Sequence, residues 1–392
     1  MQPKTRRKRK RGDTPVKDNP LKRLHALGQS VWLDYIRRDL IASGGLRRLV
    51  EEDGLRGMTS NPAIFEQAIG EGHGYDGDIR ALAGQGRGTR EIYETLTQHD
   101  VRSAADEFRP LYEATDGNDG YVSLEVNPHL AHDTEGTIRE AQGLWRSLDR
   151  PNVMIKVPAT AAGLPAIEHL IGEGINVNVT LVFGVPRYQQ VAEAYIAGLE
   201  ARLSRGQDIS RVASVASFFV SRIDALVDPL LAAIVARGGL EARLARDMLG
   251  KVAVACAKLA YQNYADLFGT IHFCGMAQSG ACPQRLLWAS TGTKNPDYSD
   301  VKYIEALIGP DTVTTVPLGT LAAYRDHGKP KARLEADVME AHWLLERLAE
   351  IGVDLDRATQ QLEAAGVEKF IRPFDRLLET LAQRAAPSGS TP

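Results

Sequence analysis

Lys156 stands in the apolar run Val153-Met154-Ile155-Lys156-Val157-Pro158 and is the only lysine between Lys22 and Lys251. The other basic side chains of that stretch are arginines and a few histidines. A primary amine held away from water disfavours its charged form, so burial here is expected to lower its pKa. Lysine can lose its proton and become a nucleophile, whereas arginine cannot. A desolvated lysine attacks a carbonyl carbon and forms a Schiff base. The competing reading is a lysine at a strand end whose stem packs while its ammonium reaches water. Taken by itself, Lys156 fits both.

Schiff-base chemistry on a sugar asks for more than an amine. The carbinolamine must lose water, and sugar hydroxyls must gain or lose protons as a C–C bond breaks or forms, which calls for carboxyl groups near the amine. Side chains alternate faces along a strand, and three segments place polar residues on one face. These are Val31-Trp32-Leu33-Asp34-Tyr35, Val122-Ser123-Leu124-Glu125-Val126-Asn127 and Ile175-Asn176-Val177-Asn178-Val179-Thr180-Leu181. Asp34 and Glu125 are the carboxyl candidates. Thr180 suits a hydroxyl that holds a proton-relaying water between Glu125 and Lys156. Asn61, Asn178 and Ser217 suit sugar hydroxyls, and Arg222, just after a strand, suits a phosphate.

The elements that must carry these residues alternate short strand-like runs with longer helical stretches, the rhythm of βα units and a parallel sheet. Strands are expected near Val31–Ile36, Gly57–Ser60, Tyr121–Val126, Val153–Val157, Ile175–Phe183, Arg211–Val220, Arg285–Ser290 and Thr312–Val316. Helices are expected over Ala161–Gly172, Pro186–Leu203 and Asp224–Phe268, the last broken at Gly238-Gly239. Leu334–Arg384 reads as further helix. Eight such units point to a (β/α)8 TIM barrel with extra C-terminal helices. In a barrel, inward positions spent on acids, amides and hydroxyls mark a site. A half-exposed antiparallel sheet would show the same alternation without the intervening helices.

The chain has 392 residues and a net charge of −3, which favours neither nucleic acid nor its exclusion. Three cysteines, Cys256, Cys274 and Cys282, make no disulfide framework or zinc spacing, so a cytoplasmic protein is expected. No apolar run reaches the roughly 20 residues of a membrane-spanning helix. Residues 1–20, with the cluster Lys4-Thr5-Arg6-Arg7-Lys8-Arg9-Lys10-Arg11, read as a disordered basic tail and not as a secretory signal. Residues 385–392 read as a second tail, leaving 21–384 as one domain. No nucleic acid or membrane partner is expected, non-specific attraction by the basic tail aside.

Thr59-Ser60-Asn61-Pro62 resembles the Thr-x-Asn-Pro signature of transaldolases, and Val153 to Thr160 is similar to their Schiff-base lysine motif. Asn176 to Phe183, Ser217 to Asp224, Thr314-Thr315-Val316-Pro317 and Glu368-Lys369-Phe370 through Leu378 match further family segments, in the same order. The resemblance is to the longer bacterial branch of this class I Schiff-base family, related to members fused to a phosphoglucose isomerase; no isomerase domain is present here. It implies a barrel that transfers a dihydroxyacetone unit between phosphosugars, with Lys156 as imine-forming nucleophile and Asp34 as general acid/base. Glu125 and Thr180 would orient the catalytic water. Thr59, Asn61, Asn178 and Ser217 would bind the donor, and Arg222 its phosphate. No metal or organic cofactor is implied, and monomer and homodimer are both open.

The pattern departs after strand seven. Ser290 is in place, but Gly292 stands where the family commonly has a second phosphate-binding arginine, leaving Lys294 or Arg285 to supply the charge. Two other readings remain. One is a fructose 6-phosphate aldolase-like enzyme that releases free dihydroxyacetone by the same imine. The other is a non-catalytic phosphosugar-binding barrel. The Gly-rich stretches 70–74 and 84–88 lack the strand-to-helix context of a dinucleotide site and read as loops. His129 and His132 have helical metal spacing but no third ligand, and read as surface histidines.

Overall fold

Val31, Leu33, Met58, Leu124, Val153, Ile155, Val157, Val177 and Val179 are all buried, and the residues alternating with them share the other face of their strands. That face can be hidden by a second layer of helices or by closure of the sheet on itself, and here the sheet closes. In the computed structural model, which describes residues 19–71 and 73–386, eight parallel strands form a closed barrel in chain order. They are β1 Gln29–Asp34, β2 Gly57–Thr59, β3 Tyr121–Glu125, β4 Val153–Pro158, β5 Val177–Val182, β6 Ser214–Phe219, β7 Arg285–Ala289 and β8 Thr312–Val316. β8 pairs with β1 to complete the ring. Helices follow the strands, so the fold is the expected TIM barrel.

Register partners point to the same side of a sheet, so the pairings fix which residues look inward together. Asp34 pairs with Thr59, and Thr59 with Ser123. Glu125 pairs with Lys156, and Lys156 with Asn178. Beneath Asp34 the inward ring of Trp32 presses on Gly57, where an added Cβ would lie 2.6 Å from the indole. Glycine is required there by close approach rather than by backbone angle.

Several boundaries differ from expectation for local reasons. β5 begins at Val177 and not Ile175. The side chain of Asn176 donates to the carbonyls of Pro151 and Val153 and accepts from Ala213 N, so it ties loops together below the ladder. Arg211 stays out of β6 because Val212 N closes a turn on Ile209 O at 3.3 Å. The stretch 224–268 breaks twice, giving helices Ser221–Arg237, Leu240–Met248 and Val252–Phe268. The second break falls at Gly250, whose φ of 69° favours glycine. The C-terminal stretch divides at Gly352 into Val338–Glu350 and Leu355–Ala385. Most of both expected tails lies outside the described residues. Pro20, however, opens a helix capped by Asn19, and Ala385 ends the last helix, so those two positions belong to folded elements. Among the described residues, no helix is long and apolar enough to cross a membrane.

The two ends of the barrel are built differently. At the N-terminal end Asp119 accepts from Arg56 Nε at 2.5 Å and from Ser30 Oγ at 2.7 Å, and it pairs with Arg285 Nη2 at 3.3 Å. Asp119 is fully buried, the two arginines are largely so, and their charges are mutually satisfied, forming a plug. Removing one partner of a buried ion pair strands the other charge, at about 3 kcal/mol or more. Asp119→Ala is therefore expected to cost about 3 kcal/mol in urea unfolding at neutral pH. An unfolding midpoint equal to that of the parent would refute the plug.

Candidate active site

The C-terminal ends of the strands carry the other set of buried polar groups, and these are not mutually satisfied. Lys156 is 4% exposed, which rules out the reading in which its ammonium reaches bulk water. Its Nζ donates to the Ser60 carbonyl at 3.0 Å and lies 3.4 Å from Glu125 Oε2. The Phe370 ring, from the helix Leu355–Ala385, is centred 5.4 Å from the same nitrogen. Neither carboxylate oxygen of Glu125 has a hydrogen-bond partner within the protein, nor do Thr59 Oγ1 and Thr180 Oγ1. Buried polar atoms are rarely left so, and a group of them at one end of the barrel marks a place that water or a polyhydroxylated ligand would complete.

Burial raises the pKa of two carboxyl groups here. Burial pushes the Glu125 pKa up from 4.5 to about 7, against the pull of Lys156 and with a further push from Asp34. Burial also raises the Asp34 pKa, opposed by Lys156, Arg222 and Lys294. Asp34 keeps some access at the barrel mouth, yet the protein around it still outweighs three nearby cations. Carboxyl groups poised this way are the usual equipment of acid–base catalysis.

Deeper in the cavity the amide of Asn178 is locked in one orientation. Ser217 Oγ donates to its Oδ1 at 2.7 Å, and its Nδ2 donates to Ser123 Oγ at 3.0 Å. Ser123 was not among the expected site residues, although its place on the polar face of β3 with Glu125 could have pointed to it. Asn61 also has a structural role. Its Oδ1 accepts from Ile64 N at 3.1 Å and caps the helix Pro62–Gly70, so that oxygen is already used. Thr180 precedes Leu181, whose φ of 62° is uncommon for a branched side chain. The register between β5 and β6 shifts there. Such backbone outliers cluster where a side chain must be aimed.

At the mouth, Arg222 begins the helix after β6, stacks over Phe219 at 5.0 Å and leaves Nη1 buried without a protein partner. Ser290 follows β7 with φ 55°, and its hydroxyl lies 3.0 Å from that of Ser221. Arg285 is excluded as a mouth cation, because it belongs to the Asp119 plug at the opposite end. Lys294 acts electrostatically on Asp34. Lys369, on the C-terminal helix, feels both Arg222 and Lys294. It was not a candidate from sequence, since nothing in a helical pattern tells that a residue will hang over a barrel mouth.

The family model described as Transaldolase/Fructose-6-phosphate aldolase matches residues 31–381. The chain belongs to this family. It is 50% identical to Transaldolase 2 of Nostoc sp. over 93% of the chain and 97% of that protein. Identity to a transaldolase of Thiobacillus denitrificans is 48%, over 92% of the chain and 99% of the relative. A transaldolase of Thermobifida fusca is 46% identical, over 94% and 99% respectively. The Gly-rich stretches fall at helix ends, as at Gly70 and Gly84, and not at strand-to-helix turns. His129 pairs with Asp375 at 2.7 Å, and no group of three or more metal-ligating side chains occurs among the described residues.

The Glu125 shift has a thermodynamic consequence. Folded protein holds this proton up to about pH 7 while the unfolded chain releases it near 4.5. The stabilising contribution is complete below the unfolded value and is lost as pH rises through the folded one. Relative to Glu125→Gln, the parent protein should lose on the order of 2–3 kcal/mol between pH 5 and pH 8.5. Urea unfolding of both proteins at the two pH values measures this; parallel behaviour would remove the case for a proton-retaining Glu125.

Proposed function

We propose that this protein is a transaldolase acting through an imine on Lys156. It transfers a dihydroxyacetone unit from sedoheptulose 7-phosphate to glyceraldehyde 3-phosphate, giving erythrose 4-phosphate and fructose 6-phosphate. The observation that carries this reading is a buried amine 3.4 Å from Glu125, in a cavity with two carboxyl groups whose pKa values are raised. Relatives named transaldolase at 45–50% identity over nearly the full length support transfer over simple aldol cleavage.

In this mechanism the Lys156 amine attacks the ketose carbonyl. The carbinolamine loses water, with Glu125 and Thr180 holding the water that shuttles the proton. Asp34 then takes the proton from the hydroxyl beyond the scissile C–C bond. That bond breaks, its electron pair moves into the protonated imine, and the aldose phosphate leaves. The resulting enamine attacks the aldehyde carbon of the acceptor, and Asp34 returns its proton to the new alkoxide. Water finally hydrolyses the imine. Asn178, fixed by Ser217 and Ser123, presents its remaining N–H to donor hydroxyls; Thr59 and Asn61 contribute from β2 and its capping turn. Arg222, Ser290 and Lys294 take the phosphate. The barrel and its C-terminal helix act as one catalytic domain, residues 21–384, and the free thiols of Cys256, Cys274 and Cys282 suit the cytoplasm.

Borohydride added with fructose 6-phosphate should trap a covalent adduct on Lys156, located by peptide mass spectrometry. A non-catalytic sugar binder would gain no mass. Lys156→Arg keeps the charge and should abolish turnover. Asp34→Asn should still be trapped but turn over about 100- to 10,000-fold more slowly. Transfer by the arginine variant at the parental rate would end the imine mechanism.

A further inference from the structure

Three cations from three different elements meet at the barrel mouth. Arg222 comes from the helix Ser221–Arg237, Lys294 from the loop after β7 and Lys369 from the helix Leu355–Ala385. These two helices pack on each other. Phe370 anchors the angular position of the second, because its ring sits 5.4 Å from Lys156 Nζ. Lys369 is the preceding residue, so its backbone lies at the same end of the barrel as this anchored ring. The burial of Lys369 and the fields of Arg222 and Lys294 all lower its pKa. Arg222 and Lys294 also act on Asp34 inside the barrel, so both bridge the cavity and the overlying helix.

Charge elsewhere on this chain is usually paired. Arg376 binds Glu66 through two nitrogens and Arg187 binds Glu363. Among the described residues, neither Lys294 nor Lys369 has an ion pair. Arg222 Nη1 is buried with no protein acceptor. Lys294 and Lys369 are exposed, yet Lys294 and Arg222 each act on both Asp34 and Lys369. Their mutual repulsion costs stability in the free protein and is relieved by a dianion between them.

We propose that Lys369 is a direct ligand of the substrate phosphate, completing with Arg222 and Lys294 a three-cation cradle that includes the C-terminal helix. The inference rests on the sugar-phosphate reading of the site above. It assigns a binding function to a helix that otherwise serves as cover. A phosphorylated ketose would gain from Lys369, and the same ketose without phosphate would not.

The test is steady-state transfer to erythrose 4-phosphate from fructose 6-phosphate and, separately, from unphosphorylated fructose. Lys369→Ala should raise KM for fructose 6-phosphate about five- to tenfold, as loss of one partly exposed charge-assisted contact does. The kinetic constants with fructose should stay within about twofold. Lys369→Arg should restore most of the loss, and the fructose 6-phosphate KM of the parent should rise more steeply with salt than that of Lys369→Ala. Equal KM values for the two proteins, or equal losses with both ketoses, would overturn the assignment. Borohydride trapping of the parent by fructose 6-phosphate separates the two claims. Trapping with an unchanged Lys369→Ala KM defeats this inference alone, whereas no trapping at Lys156 defeats the imine reading and this inference with it.

Discussion

A lysine nitrogen held inside a closed sheet, between the Ser60 carbonyl and the Glu125 carboxyl, is the constraint around which this molecule is arranged. Burying a polar nitrogen is costly unless it is hydrogen-bonded. The barrel can hold this one because it supplies a nearby carboxyl, a backbone acceptor and an aromatic roof from three separate elements. Each depends on correct strand register. A one-residue slip of β3 against β4 would turn Glu125 away from Lys156, since their pairing is what places them on the same side.

The contrast between the two barrel ends explains how the fold tolerates such a site. The Asp119 plug satisfies its own charges and has the character of a stabilising element. The opposite end leaves Glu125, Thr180, Thr59 and Arg222 with unused hydrogen-bonding capacity. Polar groups without partners weaken a native state, and the left-handed Leu181 and Ser290 add backbone cost at the same end. Part of the unused polar capacity therefore lies where a substrate can relieve it.

Much of this arrangement was legible from residue order. The alternation of short strand-like runs with helical stretches located the eight strands, and period-two alternation within three of them set Asp34, Glu125, Asn178 and Thr180 on polar faces. The failures occurred where a neighbour distant in the chain decides a role. Arg285 could not be excluded as a mouth cation until Asp119 was seen beside it. Lys369 and Phe370 lie in a helix whose path over the cavity leaves no trace in local pattern. Single glycines such as Gly250 hid a helix break, because one glycine in an apolar stretch does not by itself end a helix.

The Asp119 plug also has a kinetic meaning. With one end of the cylinder sealed, the aldose that departs and the aldose that arrives must use the same doorway, one after the other. The bound three-carbon fragment has to survive that handover while the entrance is open to solvent. What separates a transferase from an enzyme that spills its fragment is then the patience of the enamine during the exchange, more than the ease of breaking the bond.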